Sequence, residues 1–261
     1  MRSLIASLKI LAFLFLCLLA VPTQLLVLAL HKGPYSYIVP QLWHKGVCLI
    51  FRIKVHISGQ PYTQSQTLYV SNHLSYLDIP VIATVLRASF VAKKDVASWP
   101  VFGFLSRLQQ TAFIQRNRGA AAKEAGALDT MLENGKSLII FPEGTSTDGQ
   151  SVIPFKSSLF SLAVRPAMQD LKIQPFSIRL NRVDGQPPTT QPLRDTYAWH
   201  RDMETELPTH LWLFAKSKGA DISLLFAPPV KASDYNDRKT LAKHCFETVS
   251  NGVENKQCLA A

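Results

Sequence analysis

An apolar run at the N-terminus is the feature that most restricts how this chain can fold. Residues 10–30 read ILAFLFLCLLAVPTQLLVLAL, with Thr23 and Gln24 as the clearly polar interruptions. A helix of this length is about long enough to cross the hydrocarbon core of a bilayer. Arg2 and Lys9 precede the run, as in a secretory signal peptide, but the run is longer than a usual signal core and lacks a clear small-residue cleavage site. We therefore expect a retained membrane anchor.

A second apolar segment follows at 37–53, YIVPQLWHKGVCLIFRI. It mixes Trp43 and Phe51 with basic residues, a composition typical of a helix in the membrane interface. Pro22 interrupts the first segment and favours a bend there. Two arrangements therefore remain open, a helix that crosses the bilayer and a bent two-helix hairpin that lies in one leaflet.

The charge balance indicates what kind of surface the protein contacts. The chain has 28 Lys and Arg against 18 Asp and Glu, a net charge of +10, which suits an anionic surface. The basic residues are dispersed and no nucleic-acid module is recognisable, so we expect membrane lipids rather than nucleic acid as the partner. The cysteines lack any CxxC or Cys/His ligand spacing, so free thiols are expected rather than a disulfide framework or a metal site. They are Cys17, Cys48, Cys245 and Cys258.

Beyond residue 52, short apolar runs alternate with longer helical patterns. Strands are predicted in KVHIS, TLYVS, SFVAK, AFIQR, SLIIF, KIQPFSI and ISLLFA. Helices are predicted at 78–87, 95–108, 118–134, 156–165 and 237–250. This alternation predicts a single α/β domain with a partly parallel mixed sheet flanked by helices, preceded by the N-terminal membrane-associated helical segment.

The predicted organisation has three parts. Residues 1–52 form the membrane anchor with its interfacial helices, 53–250 form the α/β domain, and 251–261 form a C-terminal tail. Within the domain, residues 182–208 are rich in proline and polar side chains. Such a segment is expected to make a long excursion over the surface, near the mouth of an active site.

The stretch NHLSYLD at 72–78 places a histidine and an aspartate directly behind the apolar run TLYVS. Residues five apart point away from each other on a regular helix, so His73 and Asp78 can meet only across a bend. We expect His73 on the turn that leaves the strand and Asp78 at the start of the following helix. In the alternative interpretation Asp78 caps that helix and His73 has a structural role.

Three further stretches carry groups suited to binding. FPEGTSTDG at 141–149 follows the strand SLIIF, and α/β proteins tend to place ligands at such strand ends. AFIQRNRG supplies Arg116 and Arg118, whose guanidinium groups suit carboxylate or phosphate. Lys156 lies at the start of a predicted helix. Taken one at a time, each also fits an ordinary turn or a solvated charged face.

Together, these stretches resemble the glycerolipid acyltransferase family typified by the bacterial 1-acylglycerol-3-phosphate acyltransferase. NHLSYLD matches the NHx4D motif of that family, FPEGTS corresponds to its EGTR motif and IQPFSI to its proline-containing fourth motif. KKDVASWPVFGFLSRLQQTAFIQR matches the stretch that leads into the second motif. The resemblance covers most of residues 45–180.

The resemblance implies a general base, His73, oriented by the carboxylate of Asp78. An imidazole works as a base near neutral pH, and a paired carboxylate fixes its tautomer and stabilises the imidazolium that forms. The family also implies direct attack on an acyl thioester, with no covalent acyl-enzyme, no metal and no cofactor. The expected substrate-binding residues are Asn72, Arg116, Glu143, Gly144, Thr145 and Lys156.

The expected function is a membrane-bound O-acyltransferase on the cytoplasmic face of a membrane, the inner membrane if the source is bacterial. It moves a fatty acyl group from acyl-CoA or acyl-carrier protein to the hydroxyl of a lysolipid. The first expected acceptor is 1-acylglycerol-3-phosphate, which gives phosphatidic acid in phospholipid biosynthesis.

Two departures from the family motifs bear on the acceptor. Ser146 stands where EGTR has arginine, and Gln115 stands where the second motif has an acidic residue. A lyso-ornithine lipid, an amino-acid lipid without phosphate, is therefore the alternative acceptor, and FPEGTSTDGQSVIPFKSSLF and AWHRDMETELPTHLW resemble that branch of the family. A membrane-anchored lipid hydrolase and a non-catalytic lipid-binding protein are the alternatives from other classes.

Overall fold

The computed structural model describes residues 1–31, 33–114, 128, 130–165, 168 and 170–254. In this part of the chain, eight strands join into one sheet. The strands are β1 Ile53–Ser58, β2 Thr67–Val70, β3 Ser89–Lys93, β4 Ala112–Ile114, β5 Leu138–Ile140, β6 Lys172–Val183, β7 Ala220–Phe226 and β8 Val230–Lys231. The α-helices are α1 Arg2–Leu30, α2 Ile38–Phe51, α3 Asp78–Ala83, α4 Phe102–Leu108, α5 Gln191–Arg194, α6 Leu207–Lys216 and α7 Arg238–Glu254. Short 3-10 helices cover Pro34–Tyr37, Lys94–Ser98, Ser157–Phe160 and Ala232–Asp234.

The sheet is mixed, as predicted. Its strand order is β1-β7-β6-β2-β5-β3-β4, and β8 pairs with β6. β1 is parallel to β7, and β6, β2, β5, β3 and β4 are successively parallel. β6 is antiparallel to β7 and β8. Because β2 is parallel to both of its neighbours, the carboxyl ends of three adjacent strands meet at one edge, where α/β proteins tend to place their ligands.

The two faces of the sheet carry separate hydrophobic cores. Side chains alternate along a strand, so Leu68 and Val70 pack on one face while Tyr69 packs on the other. The face that contains Tyr69 is covered by α1, α2, α3 and α6. The opposite face is covered by α7 and the 3-10 turn Ser157–Phe160. A sheet covered on both faces explains why the central strands read as continuous apolar runs.

All seven predicted strands are present where the structure describes them, and β8 is an additional two-residue strand. The predicted helix at 237–250 is α7. That at 78–87 is shorter, since α3 ends at Ala83. That at 95–108 is divided into the 3-10 turn Lys94–Ser98 and α4, because Pro100 has no N–H to donate and Val101 has a positive φ of 62°.

One helix prediction was wrong, and one helical segment was not predicted. Residues 156–165 form one 3-10 turn followed by turns rather than an α-helix. The segment 182–208 is not wholly irregular, since it contains α5 and the first residues of α6, a helix that the sequence analysis missed. The predicted helix at 118–134 falls mostly outside the described residues.

Helix α1 lies against the rest of the chain at both ends. It is long and apolar enough to cross a membrane by length and composition. Its outward face carries exposed leucines, among them Leu8, Leu11, Leu18 and Leu26. Three of its polar side chains donate hydrogen bonds to other parts of the chain. Arg2 donates to the Asp184 carboxylate (3.4 Å) and Lys9 donates to the Ser217 carbonyl (3.0 Å). Gln24 donates to the carbonyls of Ser36 and Leu108 (2.9 Å each).

Candidate active site

The NHLSYLD stretch forms the turn between β2 and α3. β2 ends at Val70 in the middle of the sheet, and α3 begins at Asp78. The turn therefore lies at the carboxyl edge of the parallel strands. His73 is on the turn and Asp78 is the first residue of the helix, as the spacing predicted.

His73 and Asp78 are hydrogen-bonded across this bend. The distance from His73 Nδ1 to Asp78 Oδ2 is 2.8 Å. Because an ionised carboxylate only accepts, Nδ1 carries the proton and Nε2 keeps its lone pair. The His73 ring stacks on Phe141 with a centroid distance of 4.2 Å, and the side chain is 21% exposed. The imidazole is thus held in one tautomer and orientation, and part of it remains accessible.

The Asp78 carboxylate is fully buried and accepts several hydrogen bonds. Oδ2 accepts from His73 and from the backbone N–H groups of Leu74 (2.7 Å) and Ser75 (2.9 Å). Oδ1 accepts from the Tyr197 hydroxyl at 3.0 Å. The helix itself has no side-chain cap. The capping interpretation of Asp78 was therefore wrong, because its oxygens face back towards the turn rather than towards the helix N–H groups.

Glu143 binds the backbone of this turn from the interior of the protein. Its side chain is 1% exposed, Oε2 accepts from the backbone N–H of His73 (3.0 Å), and Oε1 accepts from that of Ile153 (3.2 Å). Burial raises the pKa of Glu143 to about 8, against the opposing effect of the two backbone N–H groups. Glu143 therefore ties the loop after β5 to the backbone at His73.

Asn72 is likewise turned into the protein. Its side-chain amide donates to the Ile178 carbonyl (2.9 Å) and its oxygen accepts from the Ile178 N–H (2.7 Å), and the residue is 2% exposed. These two side-chain hydrogen bonds take the place of the backbone hydrogen bonds that would extend the β2–β6 pairing beyond Val70. The residue fixes where the turn leaves the sheet.

Three of the remaining predicted residues lie at or beside the bend after β5. Gly144 adopts a positive φ of 76° and its N–H bonds the Phe141 carbonyl, which makes the sharp bend after β5. Thr145 lines a polar crevice beside the bend. Lys156 is exposed at the start of a 3-10 turn. Arg116 lies outside the described residues.

Sequence reasoning placed the segment 182–208 near the mouth of an active site but missed which of its residues contact the candidate pair. Tyr197 is fully buried and its hydroxyl donates to Asp78. The backbone N–H of Trp199 donates to the Leu74 carbonyl (2.9 Å), and the Ser146 hydroxyl donates to the Trp199 carbonyl (2.6 Å). The departure from EGTR thus supplies the hydroxyl that ties this segment to the site. The aromatic pair within an otherwise polar stretch was the available signal, because large aromatic side chains are seldom left in water.

A mostly apolar cavity of about 170 Å³ lies on one side of the turn. It is bounded by α1, α2, α4 and α6, with Tyr76 and Leu77 of the turn itself in its wall. Aromatic rings make up much of the lining, among them Phe13, Trp43 and Phe102. A mostly apolar cavity partly bounded by the His73 turn suits a fatty acyl chain.

A polar crevice of about 740 Å³ lies on the other side, between the FPEGTSTDG bend and the segment 195–205. Its lining has four carboxylates and one arginine, Arg201. The carboxylates are Asp148, Asp195, Asp202 and Glu204. Neighbouring groups balance part of this charge, since Arg194 pairs with Asp148 at 3.2 Å. Within the described residues, no group of His, Cys, Asp and Glu side chains could hold a metal ion.

Comparison with known proteins identifies the class of protein. Residues 52–179 match the family model described as Acyltransferase. The chain is 34% identical over 237 residues to the lyso-ornithine lipid O-acyltransferase of Brucella abortus, covering 89% of this chain and 87% of the relative. The chain belongs to the acyltransferase family and is an acyltransferase, rather than a lipid hydrolase or a non-catalytic scaffold.

Other relatives carry two different acceptor names. The chain is 32% identical to the lyso-ornithine lipid O-acyltransferase of Rhodobacter capsulatus (86% and 79% covered) and 30% identical to the 1-acyl-sn-glycerol-3-phosphate acyltransferase of Neisseria gonorrhoeae (78% and 76% covered). The crystal structure of the 1-acyl-sn-glycerophosphate acyltransferase from Thermotoga maritima superposes with a TM-score of 0.69 at 21% identity, covering 97% of both chains. That likeness confirms the fold, a mixed α/β sheet flanked by helices.

Proposed function

We propose that this protein transfers a fatty acyl group from a thioester donor to the hydroxyl of a lysolipid, with His73 as the general base. The observation that carries the proposal is the His73–Asp78 pair, on a turn that also places Tyr76 and Leu77 in the wall of the apolar cavity. The donor is acyl-CoA or acyl-carrier protein, and the acceptor stays in the membrane.

The reaction needs one proton acceptor and one proton donor. His73 Nε2 takes the proton of the acceptor hydroxyl while its oxygen attacks the thioester carbonyl carbon. As the tetrahedral intermediate collapses, the carbon–sulfur bond breaks and the imidazolium protonates the leaving thiolate. Asp78 stabilises the imidazolium through the 2.8 Å bond to Nδ1. Products are the acylated lipid and the free thiol, so the base returns to its starting state.

The other predicted residues receive different roles in this proposal. Asn72 and Glu143 act by holding the His73 turn, because the side-chain oxygens of both are engaged by backbone N–H groups. Thr145 borders the polar crevice and contacts the substrate head group, and Gly144 acts through the bend that presents Thr145. Lys156 and Arg116 supply positive charge for the donor phosphates.

For the acceptor we propose a lyso-ornithine lipid, with 1-acylglycerol-3-phosphate as the alternative. The crevice supports this choice, since four carboxylates line it and suit an amine-bearing head group better than a phosphate dianion. Ser146, where the family motif has an arginine, points the same way. The relatives at 34% and 32% identity carry the lyso-ornithine lipid name.

We further propose that the protein sits in one leaflet at the cytoplasmic face of the membrane. Arg2, Lys9 and Gln24 of α1 bind the domain, while the exposed leucines of the same helix face away from it. A helix with this division suits a membrane interface better than a crossing. Residues 1–52 would then form the membrane-associated unit, 53–250 the catalytic domain and 251–261 the tail.

The test offers the purified protein lyso-ornithine lipid and lysophosphatidic acid in parallel, each with one labelled acyl donor. We expect acylated ornithine lipid, and no product from a folded His73→Ala variant. Labelled lysophosphatidic acid product alone would reverse the acceptor assignment. Free fatty acid without acylated lipid, or full activity of His73→Ala, would contradict the mechanism.

The role of the crevice needs its own variants. We expect Glu204→Gln to raise KM for lyso-ornithine lipid several-fold with little change in kcat, because it removes one unit of charge from the crevice lining. Glu247→Gln is the matched control, since Glu247 lies on α7 and pairs with Lys243. Equal effects of the two substitutions would contradict head-group binding in the crevice.

A further inference from the structure

The apolar cavity contains two buried hydrogen-bond acceptors that have no partner among the residues the structure describes. They belong to Gln24 and His44, which are 3% and 2% exposed and both line the cavity. Buried polar atoms are nearly always hydrogen-bonded, so two unmatched acceptors of the same kind in one apolar cavity call for an explanation.

The free atom of Gln24 is its side-chain oxygen. Its amide nitrogen donates to the carbonyls of Ser36 and Leu108, each at 2.9 Å. Two carbonyl acceptors fix the orientation of the amide, because only the nitrogen can donate. Oε1 therefore faces away from both and has no partner.

The free atom of His44 is Nδ1. Nε2 lies 2.6 Å from Gln109 Oε1, which can only accept, so Nε2 carries the proton and Nδ1 has a lone pair. Burial lowers the pKa of His44 to about 4, which keeps the ring neutral at physiological pH. Nδ1 is without a partner as well.

Both atoms lie at the end of the cavity farther from the His73 turn. Helix α4 runs along the wall from Phe102, whose ring is 6.3 Å from that of Tyr76 on the turn, to Leu108. Gln24 binds Leu108, and His44 binds the next residue, Gln109. Six helical steps separate the two ends of α4, a rise of about 9 Å.

We propose that this end of the cavity is a polar subsite that binds a hydroxyl group on the distal part of the donor's acyl chain. A hydroxyl donates one hydrogen bond, which either acceptor can take, whereas a plain methylene chain leaves both unmatched. The inference rests on the proposed function, because it places the donor's acyl chain in this cavity. Its consequence is a preference among chains of equal length according to where they carry a hydroxyl group.

The experiment is a competition between acyl donors of one chain length, unsubstituted or with a single hydroxyl moved along the chain. With the intact protein we expect kcat/KM to peak for one distal position, at roughly 3- to 10-fold above that of positions nearer the thioester, the range expected for one net hydrogen bond. A profile with no distal maximum would overturn the subsite.

Variants assign the effect to the two acceptors. We expect Gln24→Leu and His44→Phe each to flatten the profile, measured within each variant as the ratio of kcat/KM for distal to proximal hydroxyl positions. Tyr37→Phe is the matched control, because its hydroxyl bonds Ser89 and the residue does not line the cavity. A distal maximum that survives both substitutions would mean that the acceptors hold only water. Absence of transfer from every donor would instead contradict the proposed function.

Discussion

The Tyr197 hydroxyl is the most informative group to remove, because it contacts the pair through Asp78 alone. Tyr197→Phe deletes one oxygen and keeps the ring, which packs edge-on against Phe214 at a centroid distance of 6.0 Å. Burial and the neighbouring Asp78 carboxylate raise the pKa of Tyr197 well above its usual value, so the phenol is a hydrogen-bond donor at any working pH. Among the described residues it is the sole donor to Oδ1 of Asp78.

The size of the effect follows from the charge of the acceptor. A hydrogen bond to a charged group contributes about 1.5–3 kcal/mol, and Asp78 is fully buried, so water cannot replace the lost donor. If that energy acts on the transition state, kcat falls roughly 10- to 100-fold, at about 1.4 kcal/mol per factor of ten. KM should stay within twofold, since Tyr197 has no exposed surface with which to touch substrate.

The kinetic constants and the melting temperature together separate a positioning role from a purely structural one. Loss of positioning lowers kcat in a variant that stays folded, whereas a purely structural role lowers the melting temperature and leaves kcat near the wild-type value. Tyr69→Phe is the matched control, because it removes another buried hydroxyl, bonded to the Tyr62 carbonyl. A kcat within twofold of the wild type, together with a lowered melting temperature, would refute the positioning role.

Three other substitutions test the site. Asp78→Asn should lower kcat roughly 1000-fold in steady-state assays, because an amide cannot stabilise the imidazolium; activity near the wild-type level would contradict the pair. The raised pKa of Glu143, about 8, means that the folded protein keeps a proton that the unfolded chain releases near pH 4.5. The free energy of unfolding should therefore fall as pH rises from about 5 to 8, and melting curves of Glu143→Gln should lack most of that fall. Gly149→Ala should cost more stability than Gly135→Ala and should also lower kcat. Both glycines have a φ above +70°, but a Cβ at Gly149 would lie 2.8 Å from the Leu74 side chain, whereas one at Gly135 meets nothing within 4 Å. Equal losses of stability in chemical denaturation would contradict that contact.

The sequence was sufficient for the parts of the fold set by local pattern. The central predicted strands form because each is an apolar run that a sheet covered on both faces can bury, and the half-exposed β1 pairs with β7 at the edge. Helix α7 was predictable from its periodicity. The error at 156–165 came from the same kind of reasoning, because an apolar pattern there is buried by a single 3-10 turn packed under α7.

The candidate site likewise has one part that local spacing predicts and another that depends on long-range contacts. The spacing in NHLSYLD was enough to place His73 on the turn and Asp78 at the helix start, because two side chains five positions apart can meet only across a bend. No local rule connects Tyr197 with Asp78, since 119 residues separate them along the chain. The same holds for Glu143, whose bonds to His73 and Ile153 depend on where β5 ends relative to β2.

By itself, then, the sequence determined the strands, the long apolar N-terminal helix and the places of His73 and Asp78 on either side of a bend, because periodicity, length and short-range spacing are properties of neighbouring residues. Tertiary structure decided which groups surround that pair and what α1 rests on. The polar side chains of α1 find their partners as far away as Ser217, and Tyr197 is buried beneath a helix that starts at Asp78. Such contacts depend on how the sheet brings distant segments together, and a buried charge or amide is stable only where that packing supplies its partner.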